Sequence, residues 1–147
     1  MMTKTILAGV LLLGLGSAAF ADGEADIVDV LEAYSSALAG QEVAAAETHV
    51  LAEGDAFTIF EGSGADIGWE QYRDHHLVPE FANQDVEFHV YDWSGYSAQT
   101  AGEYGFATFD IRMEYEVRGE SRERDGHGTA ILVRTENGWR IRHLHTS

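Results

Sequence analysis

The chain has 147 residues, one proline, no cysteine, 45% hydrophobic residues and a formal net charge of −16. That length fits one ordinary globular domain, and the missing cysteine excludes a disulfide framework, a lipid-modified start and thiolate metal ligands. Only nine Lys and Arg residues stand against 25 Asp and Glu, which excludes nucleic acid as a partner, because phosphate backbones are bound by neutralising them with cations.

The first segment reads as a leader. Lys4 supplies a positive start, Ile6 to Gly16 form an apolar run, and Ala19-Phe20-Ala21 is a small-x-small cleavage signature before Asp22. The run is shorter than the roughly 20 residues that span a bilayer. Residues 1–21 are therefore expected to be a signal peptide and 22–147 the mature domain. Lys4 is the leader's only charge, so cleavage leaves −17, on a bacterial periplasmic or secreted protein with no membrane attachment.

Ile27, Leu31, Tyr34 and Leu38 recur every three or four residues, predicting an amphipathic helix that Gly40 ends. A second helical segment, Gln41 to about Val50, is rich in alanine and leads to a stop at Gly54, so the two form a helical hairpin. Ala56 to Phe60 is a short β-rich run closed by a Gly62-Ser63-Gly64 turn. A third helix runs from Gly68 through Trp69, Tyr72, His75 and His76 until Pro79 limits it, with Trp69, Tyr72 and His76 on one face. Four alternating strands follow, Val86 to Trp93, Tyr104 to Val117, Arg124 to Arg134 and Trp139 to Thr146, separated by Ser-Gly, Arg-Gly and Asn-Gly turn signals. Helices first and a long meander after them predict an α+β domain: a cone-shaped, curved antiparallel sheet covered by N-terminal helices and enclosing a pocket.

Strict alternation in the last strand puts Trp139, Ile141, His143 and His145 on one face and Arg140 and Arg142 on the other. The two histidines are then expected at the mouth of the core. With Phe109, Ile111, Met113 and Tyr115 inward from an earlier strand, the expected pocket group is His76, His143, His145, Tyr72, Trp69 and Tyr115. Asp110 and Glu114 have the opposite parity and read as surface carboxylates.

The helical hairpin, the Gly68-Trp-Glu-Gln-Tyr-Arg-Asp-His-His76 helix, and Gly126-His-Gly-Thr-Ala-Ile-Leu-Val-Arg134 followed by Gly138-Trp-Arg-Ile-Arg-His-Leu-His-Thr-Ser147 together resemble the SnoaL-like branch of the nuclear transport factor 2-like superfamily. The resemblance spans the whole mature chain. It implies a cone-shaped domain, commonly a dimer packed through the sheet, whose cavity serves isomerases, hydrolases, cyclases and non-catalytic binders in different members. Ketosteroid isomerase and cyclase members use a pocket carboxylate as base with hydrogen-bond donors for the enolate oxygen; no residue-by-residue match to that machinery is found, although Tyr34, Tyr72 and Tyr115 are donors of the right kind.

The histidines support three readings. A His-x-His pair on a strand sets two nitrogen donors about 7 Å apart, so His143 and His145, with His76, His49 or Glu80 as a third ligand, are candidate ligands for a divalent metal. Without metal, the same imidazoles form an acid/base pair, since imidazole titrates near neutral pH. As structural groups they donate to carbonyls or carboxylates at the rim. The function expected is binding of a small molecule, with or without a metal ion, in the cone cavity of an exported homodimer. The alternatives are a ketosteroid-isomerase-like or cyclase-like enzyme using acid/base catalysis and a non-catalytic dimerising accessory domain.

Overall fold

The computed structural model describes residues 16–147. In chain order the elements are α1 (Gly16–Ala39), α2 (Val43–Glu47), β1 (Thr58–Glu61), β2 (Gly64–Ile67), α3 (Trp69–Tyr72), a π-helical turn (Arg73–Leu77), α4 (Val78–Phe81), β3 (Val86–Ala101), β4 (Tyr104–Val117), β5 (Glu120–Thr135) and β6 (Gly138–Thr146). Lys4 and the expected leader's apolar run up to Leu15 lie outside the described residues. The α1 backbone runs without a break past Ala21 and Asp22, the expected cleavage point. Among the described residues no helix is long and apolar enough to cross a membrane.

Six strands form one curved sheet in the order β2-β1-β6-β5-β4-β3. All neighbours are antiparallel except β1 and β6, which run parallel, so the expected antiparallel sheet is mixed at that one pair. β2 was not foreseen, because Gly-Ala-Asp-Ile lacks the β-branched and aromatic density of a strand. It exists as the return arm of a two-residue hairpin in which Gly62 takes φ 58°.

Curvature comes from bulges, which add a residue to one strand and bend it. Pairing slips between Phe88 and Val90 and again between Ser94 and Ser97. The Ser94-Gly95 pair, expected to end a strand at Trp93, is therefore a bulge inside β3. Gly95 sits there at φ 62°, and a side chain on it would meet the Asp110 carboxylate 2.6 Å away.

The expected stripe of α1 is the heart of the core. Ile27, Leu31, Tyr34 and Leu38 are all buried, facing Trp93, Ala107, Phe109, Ala130, Leu132, Trp139 and Ile141 on the concave side of the sheet. Burying each large side chain contributes on the order of 1.5–3 kcal/mol. Tyr34 packs on Trp93 at 5.6 Å between ring centroids, and Trp93 stacks on Phe109 at 4.2 Å. Phe109 in turn lies where a Cβ on Gly128 would be, so this strand position is reserved for a residue without a side chain.

Pro79 does not end the third helix. The helix continues to Phe81 through the π-helical turn, with Pro79 in the first turn of α4. Proline has no N–H for the preceding turn and crowds the carbonyl four residues back; the wider turn immediately before it gives that ring room.

Gly128→Ala tests the packing. The added methyl overlaps the Phe109 ring, and the expected cost is about 1–3 kcal/mol, read as a lower urea midpoint at unchanged m-value. An unchanged midpoint would show that Phe109 has another place to go.

Candidate active site

α1 ends at Ala39 while the sheet continues beyond it, and the helical stretch 69–81 roofs the gap. The result is a cavity of about 300 Å³, at the lower end of the range for small-molecule sites. Leu38, Leu77, Phe81, Phe88, Tyr91, Ile111 and Met113 give it apolar walls, while Glu61, Tyr72, His76, Glu80, Arg124 and Thr146 supply polar groups.

Glu61 reaches the cavity by strand parity. In β1 and the residue before it, Phe57, Ile59 and Glu61 alternate onto the core face, and the third of these is a carboxylate at the strand end. His76 comes from the π-helical turn, a geometry that recurs at functional sites, and its ring lies 5.2 Å from that of Tyr72. Its Nε2 is 3.2 Å from Glu61 Oε2 and 3.6 Å from Glu80 Oε2, and its Nδ1 is 4.0 Å from Asp66 Oδ2.

Burial sets the electrostatics. It raises the Glu61 carboxyl above its ordinary 4.5; His76 and Arg124 pull it back, while Glu80 and Asp66 add to the rise. Burial raises Glu80 as well, against the pull of His76. Glu61 Oε2 is shielded from solvent yet has no hydrogen-bond partner at good geometry. Around this carboxylate stand the phenols of Tyr34, Tyr72 and Tyr91. Each is held neutral mainly by burial, with the Glu61 charge adding to the shift. The Tyr34 hydroxyl, close enough to Tyr72 for that residue to pull its pKa back down, also lacks a well-aligned partner.

Of the residues expected in the pocket, Tyr72 and His76 line it. Trp69 is core, packed edge-on against Phe57 at 5.7 Å. Tyr115 lies against Phe88, 5.6 Å between ring centroids, and reaches the cavity only through that ring. His143 and His145 are on the other side of the sheet. Leu132 pairs with Ile141 but Ile131 pairs with His143, so Arg142 is an extra residue in a bulge and parity inverts beyond it. Trp139 and Ile141 face the core before the bulge; Leu144 and Thr146 face it afterwards. His143 instead bonds Thr58 Oγ1 through Nδ1 at 2.6 Å and meets the exposed Phe60 ring. Burial, and secondarily His145, lowers its pKa.

The expected metal ligands are thus dispersed. His76 is inside the cavity, His143 and His145 are on the outer sheet face, and His49 lies between α2 and β1, where its backbone bonds Ile141. Among the described residues, the one set of three ligating groups with atoms within 4.8 Å of one another is the surface trio Glu87, His89 and Glu116. The donor set does not fit the metal centre the sequence suggested. Glu61, Tyr91 and Arg124 are the site residues that sequence reading missed. Continuing the Phe57, Ile59 alternation by one step would have found Glu61.

A helix-covered, curved sheet around a cavity of this form defines a cone-shaped α+β class. The SnoaL-like domain family model matches residues 27–147, and the chain belongs to that family. Solved structures share the fold. A ketosteroid isomerase-like protein from Erwinia carotovora atroseptica is 18% identical with a TM-score of 0.71, covering 87% of this chain and 97% of its own. A nuclear transport factor 2-like superfamily protein from Salmonella enterica is 16% identical with a TM-score of 0.70, covering 86% and 91%. An NTF2-like protein of unknown function in nutrient uptake from Rhodospirillum rubrum is 20% identical with a TM-score of 0.64, covering 82% and 96%. No curated protein matches the sequence.

A carboxyl whose pKa folding raises holds its proton more tightly in the folded state. Its contribution is complete below the ordinary 4.5 and is lost as pH rises through the raised folded value. Glu61→Gln, which keeps the neutral form at every pH, is therefore expected to denature at higher urea than wild type at pH 7, with the gap closing near pH 4. A wild type more stable than the variant at pH 7 would mean that the ionised carboxylate stabilises the fold.

Proposed function

We propose that the cavity is the active site of an acid/base enzyme that moves a proton on a small, largely apolar carbonyl compound. The observation that carries this reading is Glu61 Oε2, a buried carboxylate oxygen without a hydrogen-bond partner, beside the His76 imidazole at 3.2 Å. A base needs a free lone pair, a pKa raised toward the working range and reduced contact with water, and these three meet at Glu61, half-buried with its Oε2 shielded.

In this reading Glu61 takes a proton from the carbon next to the carbonyl. The electron pair of that C–H bond becomes a C=C bond, the π pair of the carbonyl moves to its oxygen as an enolate, and a phenol of Tyr72 or Tyr91 donates a hydrogen bond to it. Where the compound carries a C=C bond β,γ to the carbonyl, Glu61 then returns the proton to the γ carbon and the double bond shifts into conjugation, completing an isomerisation with no net gain or loss. His76, with both Glu61 and Glu80 in reach of Nε2, stabilises the carboxylate and relays its proton.

The same reading takes the protein as exported after cleavage at Ala21. Cleavage would trim the first turns of α1 and leave the buried stripe from Ile27 onward intact. It also takes the chain as a homodimer through the outer sheet face, where Phe106 and Ile131 are exposed cross-strand partners on β4 and β5, and Phe60 is exposed on β1 beyond the His143 ring of β6. Monomers rarely leave such apolar side chains contiguous.

The probe for catalysis is 3-cyclohexen-1-one, whose conversion to the conjugated ketone is read by absorbance. Wild type is expected to turn it over, and Glu61→Gln to lose about 10²–10⁴-fold in kcat. The kcat/KM profile should rise with pH, at a midpoint above 4.5 because burial raises the Glu61 carboxyl. No conversion, and no exchange of its α-protons with solvent deuterium, would sink the catalytic reading. For the dimer, Ile131→Glu is expected to halve the mass measured by light scattering; an unchanged mass would place any self-association elsewhere.

A further inference from the structure

Among the described residues the cations are eight arginines and no lysine. Arg73, Arg118 and Arg122 hold carboxylates at 2.7, 3.1 and 2.6 Å, and Arg112 is held among Glu114, Glu123 and Asp125. Arg134 lies over the Trp139 ring at 4.6 Å, and Arg140 donates to the Trp139 carbonyl at 2.8 Å. Arg142 occupies the bulge of β6, exposed and outside the cavity lining. Arg124 differs from all of these. It is exposed like Arg142, but it lines the cavity and, among the described residues, has neither an ion pair nor a hydrogen bond, in a chain of net charge −16.

Parity explains its position. Arg124 shares the concave face of β5 with Gly128, Ala130 and Leu132, and pairs across the ladder with Met113, another lining residue. Gly128 pairs with Thr146, which pairs with Glu61, so the backbones of Glu61 and Arg124 are about 13 Å apart measured along the strand direction, while the long Arg124 side chain brings its charge near enough to be felt at Glu61. Between these ends lie Phe88, Tyr91, Ile111 and Met113. The cavity is therefore polarised, with carboxylates at one end, apolar walls in the middle and an unpaired guanidinium at the other.

We propose that Arg124 determines substrate class, and that the substrate is a small carboxylate whose apolar, carbonyl-bearing body extends inward to Glu61 and His76. The inference rests on the catalytic reading above for the role of the inner end. An Arg–carboxylate pair forms two parallel hydrogen bonds, which orient as well as attract. Glu61 and Glu80 repel the anionic end of the ligand, so the charge layout sorts its two ends: carboxylate outward, neutral carbonyl inward. A ligand ammonium would meet repulsion from Arg124, and a wholly neutral ligand would leave the guanidinium without a role. A cavity of this size accepts roughly ten to fifteen non-hydrogen atoms.

The test is calorimetric titration at pH 7 of 4-oxo-4-phenylbutanoate, its neutral primary amide and 4-phenylbutylammonium. Wild type is expected to bind the acid at least tenfold more tightly than the amide, and the ammonium weakest. Arg124→Met should bind acid and amide alike while keeping the wild-type affinity for the amide, and Arg124→Lys should restore part of the preference. The proposal is overturned if amide or ammonium binds wild type as well as the acid, if the preference survives in Arg124→Met, or if none of the three binds at millimolar concentration. Failure of the catalytic reading is distinguishable from this. An acid preference present in wild type and in Glu61→Gln, without turnover of any ketone, removes the chemistry and leaves Arg124; turnover without the preference does the reverse.

Discussion

The seating of α1 in the concave sheet is the contact on which everything else depends. Its stripe from Ile27 to Leu38 fills the hollow of the bent strands as far as Ala39, and there the filling stops while β3, β4 and β5 continue. A sheet of that curvature cannot flatten to close the remainder, because the bulges in β3 fix its bend. The short helical stretch 69–81 lies over the gap without filling it. The cavity is thus the unpacked end of the core, bounded by Leu38 and Leu77 from the helices and by Ile111 and Met113 from the sheet.

Placing a carboxylate in that unpacked end works against the fold. Each apolar neighbour that stabilises the domain also removes water from Glu61, and the neighbouring Glu80 adds like charge. Imidazole from His76 offsets part of this but does not cancel it, since the carboxyl still sits above its ordinary range. A side chain retained for stability alone would be better as an amide or an aliphatic group. Proteins commonly store such unfavourable arrangements where chemistry occurs.

The legible parts of the fold were those in which a single period runs uninterrupted. The 3.6-residue stripe of α1 has no break, and its four named residues are all core. The hairpin at Asn137-Gly138 was readable because its turn residues have a mechanism, and Gly138 does adopt φ 91°. What failed to read were the interruptions. Bulges leave no composition signature, so alternation carried on from Trp139 and Ile141 joined His143 and His145 to them across a slip at Arg142. In the site, His76 and Tyr72 were legible because the helical face that carries them keeps its spacing through the π-helical turn. Tyr91 was hidden by the slip between Phe88 and Val90, and Glu61 by a strand taken to end one residue early.

That one residue at Arg142 also decides what each face of the sheet can be. Without the bulge, the cavity edge would carry imidazoles and the outer face Leu144 and Thr146. With it, Leu144 closes the core and Thr146 reaches the cavity beside Glu61, its partner in the parallel ladder. The histidines move to a face where His143 is already committed to Thr58 and packed by Phe60. The inner chemistry is then left to a single imidazole among carboxylates and phenols, an arrangement suited to passing one proton and poor for holding a nitrogen-ligated metal. A single insertion in a strand thereby separates the residues that face the core and cavity from those of the outer sheet face, although both sets alternate within nine positions of one strand.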